Sequence, residues 1–329
     1  MGRAGSCGAD RGEHPGVTAE SSAVTDATGA APRVFVAGAT GYIGRFVTRE
    51  LVARGFDVTC FARPQSGVGG ASDSEHTRAD LEGAEIRFGD VCDEDSLTAA
   101  GFVPGERFDY TVSCLGSRSG ARDDAWLVEY EANCRLLAAS ERAGVKQFVL
   151  LSAICVQKPR LEFQRAKLAF EERLQGSSLD WSIVRPTAFF KSLSGQVEAV
   201  KRGKPFVVFG DGELTRCRPI SERDLARFVA DCLGRQDRCN RVLPVGGPGP
   251  AITPLQQARL LSDLCGRPLK LRRVPAWFFD PIIAVLAGLS RLAPGLADKA
   301  EFARIGRYYA TESMLCLDPG TGCYDDEAT

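Results

Sequence analysis

Gly38, Gly41 and Gly44 recur at intervals of three in the run Val34 to Gly44, VFVAGATGYIG. Ahead of them Val34, Phe35 and Val36 read as a buried strand. Behind them Ile43, Val47 and Leu51 mark one face of a helix that Gly55 stops, and Val58 to Phe61 supplies a second strand. A strand that turns tightly into a helix presents free backbone N–H groups, and a pyrophosphate is the ligand those groups suit. Glycine is required because the backbone must bend sharply and let the phosphates approach closely. The pattern implies dinucleotide binding, with Gly38, Thr40, Gly41, Tyr42, Ile43 and Gly44 as the cofactor-binding turn.

The end of the second strand bears on which dinucleotide is held. Selection of NAD places Asp or Glu there to hold a ribose hydroxyl, whereas this chain reads Cys60, Phe61, Ala62, Arg63, with no acid before Asp73. Arg63 therefore points to NADPH, its guanidinium pairing with a 2′-phosphate through two hydrogen bonds. Arg45, just behind the last glycine, is placed to add a second positive charge. Asp90 and Val91, after the third strand, are expected at the adenine edge, and Ser113 to Gly116 beneath the cofactor.

A further pair carries the reaction. Phe163 and Lys167 stand four residues apart on a helical pattern, so they face the same way. Short-chain reductases use that spacing for a proton-donating tyrosine and a lysine on the nicotinamide ribose. Here the tyrosine is phenylalanine. Lys167 can orient the cofactor, but the usual acid of carbonyl reduction is missing. Hydride delivery to a carbon–carbon double bond stays open, because a conjugated acceptor spreads the developing charge.

Composition narrows the classes. The 329-residue chain is 44% hydrophobic with a net charge of −1, which suits a globular α/β enzyme and argues against nucleic acid as a partner. Twelve cysteines lie singly, with no C-x-x-C pair. The histidines are only His14 and His76, so no metal site is expected. Residues 1–31 read as a disordered tail without a hydrophobic signal core. The most apolar stretch, Trp277 to Leu292, is interrupted by Asp280 and Pro281 and is short for a membrane span; it reads as lying on a pocket or a membrane surface.

These residues need a scaffold, and the rest of the chain supplies one. Strand patterns continue at Ile86–Phe88, Tyr110–Leu115, Phe148–Ser152 and Ser182–Val184, with helices expected over Trp126–Arg142 and Leu161–Leu174. Ser221 and Thr253 read as helix starts, the latter followed by Pro254. The expected fold is α/β: a Rossmann-like doubly wound parallel sheet with a smaller C-terminal substrate lobe. The cofactor domain is placed at 32–190 and the substrate lobe at 191–329, interleaved with the sheet.

Longer runs carry a resemblance. GATGYIG, LLSAICVQKP (Leu150 to Pro159) with LEFQRAKLAFE after it, SIVRPTAFFKSLSGQVE (Ser182 to Glu198) and IGRYYATESM (Ile305 to Met314) resemble the ferredoxin-independent, NADPH-using divinyl chlorophyllide 8-vinyl-reductases, within the atypical short-chain reductases. The resemblance spans Arg33 to Tyr324. It implies reduction of the 8-vinyl group of a divinyl chlorophyll precursor to ethyl, and a phenylalanine at the tyrosine position belongs to that family. It also implies a phototrophic host, with the protein in a plastid stroma or a bacterial cytoplasm, in peripheral contact with photosynthetic membrane and with no obligate protein partner.

A tetrapyrrole substrate is wide, flat and apolar with a polar edge, so its pocket needs aromatic surface and a few cations. Phe189 and Phe190 are expected to flank the macrocycle or the nicotinamide. Lys191, counted with Lys167 among the catalytic groups, or Arg185 would meet a carboxylate or ring oxygen. Arg307, Tyr308 and Tyr309 are candidates for proton donation or for lining the macrocycle, with Tyr308 placed in the substrate site. Two other readings remain: an atypical reductase of phenylpropanoids or quinones, and a non-catalytic protein that holds NADPH within an assembly or as a sensor.

Overall fold

Val34 to Ala37 are buried on both faces, as a strand in the middle of a parallel sheet requires. The computed structural model describes residues 30–65, 73–290, 293 and 295–329; most of the expected disordered tail, residues 1–29, lies outside them, as does Leu292. The strands are β1 (Arg33–Ala37), β2 (Asp57–Ala62), β3 (Glu85–Phe88), β4 (Tyr110–Ser113), β5 (Gln147–Leu151), β6 (Asp180–Pro186), β7 (Phe206–Phe209), β8 (Arg241–Val245) and β9 (Leu271–Val274), with a short terminal hairpin of β10 (Cys316–Leu317) and β11 (Tyr324–Asp325).

Seven strands form one sheet in the order β3-β2-β1-β4-β5-β6-β8, every pairing parallel. The expected doubly wound α/β sheet is what the chain forms. The strand order reverses at β1, where Ala37 pairs with Phe61 on one side and Ser113 on the other. That reversal opens a crevice at the carboxyl ends of the strands.

The two faces of β1 build two cores. Phe35 stacks on Phe102 with ring centroids 4.2 Å apart and meets Phe108 edge-on at 5.4 Å. On the opposite face Val34 and Val36 pack with Val47 and Leu51 of the helix Tyr42–Ala53, and with Leu225 and Val229 of the helix Glu222–Ala230. Each such buried aliphatic side chain contributes about 1.5–3 kcal/mol. Ser221 caps the latter helix by accepting from the Asp224 N–H, and Thr253 with Gln256 forms a capping box on Pro254–Leu264, both as the sequence indicates.

The chain leaves the sheet after β6 and returns. Between β6 and β8 it sends out β7; after β8, β9 joins β7 in a separate two-stranded parallel sheet around Val200, Phe206, Val208 and Ala258. The helices Phe279–Leu289 and Gly295–Thr311 then pack on each other, with Phe279 seated 5.3 Å from the Phe209 ring. Residues beyond 190 thus supply both an outer lobe and the last strand of the main sheet.

One element differs from the sequence reading in a way that matters for the site. The helix expected from Trp126 begins at Arg122, and its segment Trp126–Glu131 is widened into a π turn before the α-helix Ala132–Arg142. A π turn rotates the side chains that follow it out of ordinary helical register, so it can aim a residue that periodicity would not place.

Candidate active site

Gly38 directly follows β1 at φ 77°, and a Cβ there would come within 2.5 Å of the Cys114 carbonyl oxygen on the β4 side. Only glycine lets the two strand ends approach so closely. The helix Tyr42–Ala53 then starts at Gly41 with no side-chain cap and no acidic residue in its first turn. Its first N–H groups are left for an anion, and the positive end of the helix dipole is not offset.

A cavity of about 470 Å³ opens in front of this turn, lined by Gly38, Thr40, Gly41 and Tyr42 from the loop, Arg63 after β2, and Asp90 and Val91 after β3. The Asp90 carboxylate is oriented by accepting from the Cys92 N–H at 2.9 Å. Other residues expected in this site do not line it. Ile43 is in the hydrophobic core, and Gly44 is packed on the Gly38 carbonyl, where any Cβ would collide. Ser113 is fully buried and donates to Asn133 Oδ1 at 2.6 Å. Arg45 is not part of the crevice lining; it donates to the Thr40 carbonyl at 3.3 Å and pairs with Asp80 at 3.5 Å. These four shape the crevice from behind.

Lys167 lies just behind the crevice wall. Its Nζ donates to Glu129 Oε2 at 2.7 Å, and Glu129 Oε1 accepts from the Ser117 N–H at 2.9 Å. Glu129 is carried by the π turn, and Asn133 steadies that turn by donating to the Val128 and Glu129 carbonyls. A run of hydrogen bonds therefore joins the end of β4, through Ser113, Asn133 and Glu129, to Lys167. Burial pushes the Cys114 thiol up to about 12, and Lys167 partly offsets that shift. It acts in the same way on Cys155, whose thiol burial also raises. Cys114 lines the first cavity and Cys155 a second, so the ammonium's field reaches a wall of each. Phe163, one turn before Lys167, packs with Ile154, Leu161, Tyr308 and Met314 and offers only apolar surface.

The second cavity, also about 470 Å³, lies beyond the ends of β5 and β6. Ala153 to Cys155, Pro186 to Phe189, Leu193, Ile252, Pro254 and Met314 give it a mainly apolar wall, and Arg216, Tyr309 and Glu312 are its charged and phenolic edge. Phe189 lines it with its ring centroid 6.3 Å from that of Tyr42, a first-cavity residue, so the two rings mark where the cavities meet. Burial and Glu222 push the Tyr42 phenol up to about 12.

Phe189 is the only one of the three residues expected after β6 that reaches this cavity. Phe190 is 53% exposed, and Lys191 is exposed with its ammonium 4.2 Å above the Tyr42 ring, outside both cavities. Arg185 is paired with Glu171, which also accepts from the Ser152 hydroxyl, so its guanidinium is taken up inside the sheet. Tyr308 is buried and donates to the Cys155 carbonyl at 2.8 Å; it supports the wall from behind.

The phenol that lines the cavity is Tyr309. Its ring opens on the space while its hydroxyl sits deep, 4.0 Å from Cys155 Sγ. Burial of that hydroxyl, with the neighbouring Cys155 thiol, holds its pKa well above the ordinary phenol value. Glu312 accepts from Lys158 at 3.1 Å and from the Tyr324 hydroxyl at 2.7 Å, and pairs with Arg160 at 2.9 Å. Burial alone would raise its pKa, but these partners outweigh burial and hold it below the usual carboxylate range.

The comparisons with known proteins bear on both halves. The NAD(P)H-binding family matches residues 38–236, the glycine turn and most of the sheet. The divinyl chlorophyllide a 8-vinyl-reductase of Arabidopsis thaliana is 53% identical over 302 residues, covering 90% of this chain and 72% of its own length. The reductase of that name from Zea mays is 54% identical over 301 residues, covering 90% and 75%. This chain belongs to the divinyl chlorophyllide a 8-vinyl-reductase family. It binds a nicotinamide cofactor and is an oxidoreductase. Among solved structures, AtPrR2 with NADP+ and (+)pinoresinol superposes with a TM-score of 0.64 at 18% identity, covering 85% of this chain and 88% of that one, a likeness of fold alone.

Three charged residues of the site, Glu129, Arg216 and Glu312, were not found from sequence. Glu129 has one visible signal, an acid inside the otherwise apolar run Trp126 to Tyr130. Glu312 has none, because its partners Lys158, Arg160 and Tyr324 are distant or non-periodic in sequence.

Proposed function

We propose that this chain uses NADPH to reduce the 8-vinyl group of divinyl chlorophyllide a to ethyl, within chlorophyll biosynthesis in a plastid. The observation that carries this reading is the 53–54% identity, over 90% of the chain, to chloroplastic reductases named for that reaction. The phosphate turn fits the cofactor: its uncapped, acid-free helix start suits a pyrophosphate, and Arg63 supplies positive charge where an NAD-selective chain carries an acid. Bound there, NADPH supplies a hydride.

The chain's own groups do the rest. Lys167, fixed by Glu129, orients the nicotinamide ribose at the meeting of the two cavities. The apolar second cavity, with Phe189 at its mouth, takes the flat macrocycle and excludes water from the reacting carbons. Hydride addition to a vinyl carbon leaves an electron pair spread over the conjugated ring, and one proton must complete the ethyl group. Tyr309 Oη provides it, as the phenol that lines this cavity, and solvent restores the proton afterwards. Tyr309 thus takes the part that Phe163 has no group to play.

Purified protein mixed with divinyl chlorophyllide a and NADPH should shift the Soret band to shorter wavelength as NADPH is consumed, and NADH should be the poorer donor. Cofactor binding with no spectral change would overturn the reading. NADPH consumption on quinones or phenylpropanoids alone would replace it with another reductase.

A further inference from the structure

The helix Phe279–Leu289, sequence FDPIIAVLAGL, is strongly apolar and yet buries none of its residues. Its neighbourhood is equally bare. Trp277 is 65% exposed, Val285 60% and Phe302 73%, and Phe278, Ile282 and Leu289 are exposed as well. Scattered exposed apolar residues are ordinary, but six large ones on one helix pair and its entry turn make a patch of the kind that marks an interface.

The chain leading into the patch is basic. Arg267, Lys270, Arg272 and Arg273 are all exposed, and no acid occurs between Asp263 and Asp280. Arg273 and Trp277 are four residues apart, so no more than about 14 Å separates their Cα atoms even at full extension. Cations beside tryptophan and aliphatic side chains are what an anionic bilayer surface attracts: headgroups meet the arginines and acyl chains meet the apolar face. No helix among the described residues is long and apolar enough to cross a membrane, and this one has 11 residues, so it would lie in the interface plane. A second copy is disfavoured as the cover. Pairing this face with itself about a two-fold axis would bring each set of four cations towards the other.

We propose that this helix pair and its basic lead form a membrane-docking face specific for anionic lipid. The assignment is independent of which substrate is reduced. It has a consequence for access, because the helix Gly295–Thr311 carries Phe302 on the exposed face and Tyr309 in the second cavity. The cavity wall and the docking face are therefore parts of one rigid element, and an apolar substrate resting in the bilayer would reach the cavity along it.

The test is sedimentation of the full chain with phosphatidylcholine vesicles, with and without phosphatidylglycerol, at low and high salt. Binding to the anionic vesicles, weakened by salt, is expected. Replacing Trp277, Phe278 and Val285 together by serine should abolish it. Reversing two charges, Arg272→Glu with Arg273→Glu, should weaken it by at least about 30-fold. Unchanged circular dichroism and NADPH binding in both variants would show that the fold is intact. Failure of the wild-type chain to sediment, or equal sedimentation with both vesicle types, would overturn the proposal. So would light scattering that finds a dimer which the triple-serine variant dissolves while vesicle binding is absent. None of these outcomes bears on turnover of soluble substrate, so the docking face and the reductase reading can fail separately.

Discussion

The two cavities that meet at Tyr42 and Phe189 are built on different principles. The first is made largely of backbone: a glycine turn, an uncapped helix start and the residues that directly follow β2 and β3, all within 38–128. The second is made of side chains drawn from 153 to 314, brought together only when β5, β6, the outer lobe and the helix Gly295–Thr311 have all packed. A backbone site must be encoded locally, because turn geometry depends on residues a few positions apart. A side-chain cavity can be assembled from anywhere, and its chemistry rests on one or two groups that long-range packing aims.

Spoiling the first cavity alone should have the largest effect. Gly44→Val would drive a side chain into the Gly38 carbonyl, so NADPH binding by calorimetry should be lost altogether. Retained binding would mean that the turn does not hold the cofactor.

Next in size is the second cavity's acid. Tyr309→Phe should lower kcat by about 100-fold or more while leaving the NADPH dissociation constant unchanged. Tyr308→Phe should leave kcat intact and cost about 1 kcal/mol of stability, the loss of one buried hydrogen bond. Equal kinetic losses in the two variants would refute the assignment. Both phenols have pKa values raised on folding, so their contribution to stability is complete below the unfolded value of about 10 and is lost as pH rises towards the folded ones. Thermal unfolding followed from pH 8 to 11 should show that decline, smaller in each Phe variant.

Lys167→Met probes the link between the halves. It leaves Glu129 buried without its cation and should destabilise the chain by about 3 kcal/mol, read from urea unfolding. Adding Glu129→Gln should recover most of that stability but none of the turnover. Recovery of both would make the pair structural only. A smaller effect than at Lys167 is expected at Arg63→Ala, which should raise the KM for NADPH by about ten-fold and leave that for NADH unchanged, the loss of one charge-assisted contact.

How far each cavity could be read in the sequence follows from the same contrast. The glycine turn, β1, β2 and the position of Arg63 were legible because strand, turn and helix start follow one another within thirty residues. Lys167 was legible through its spacing from Phe163. Glu129 was not, since the π turn that aims it breaks the helical period. Tyr308 and Tyr309 differ by about 100° around their helix, and nothing local says which of them faces the cavity. Phe190 and Lys191 follow a strand that points at the site, but the short helix Phe190–Leu193 starts there and carries them outward while Phe189 stays in. The pairing of Arg45 is not legible either, because its partner Asp80 lies on a different helix, Ser74–Asp80.

In the proposed reaction, hydride from NADPH and a proton held by the protein are added to one vinyl group. It is tested most directly by turning over divinyl chlorophyllide a with NADPH deuterated on its transferable face, and separately with ordinary NADPH in deuterated water, and weighing the product. The account predicts one deuterium in the ethyl group from the cofactor in the first case and one from solvent in the second. An ethyl group that takes no deuterium from the labelled cofactor would contradict it.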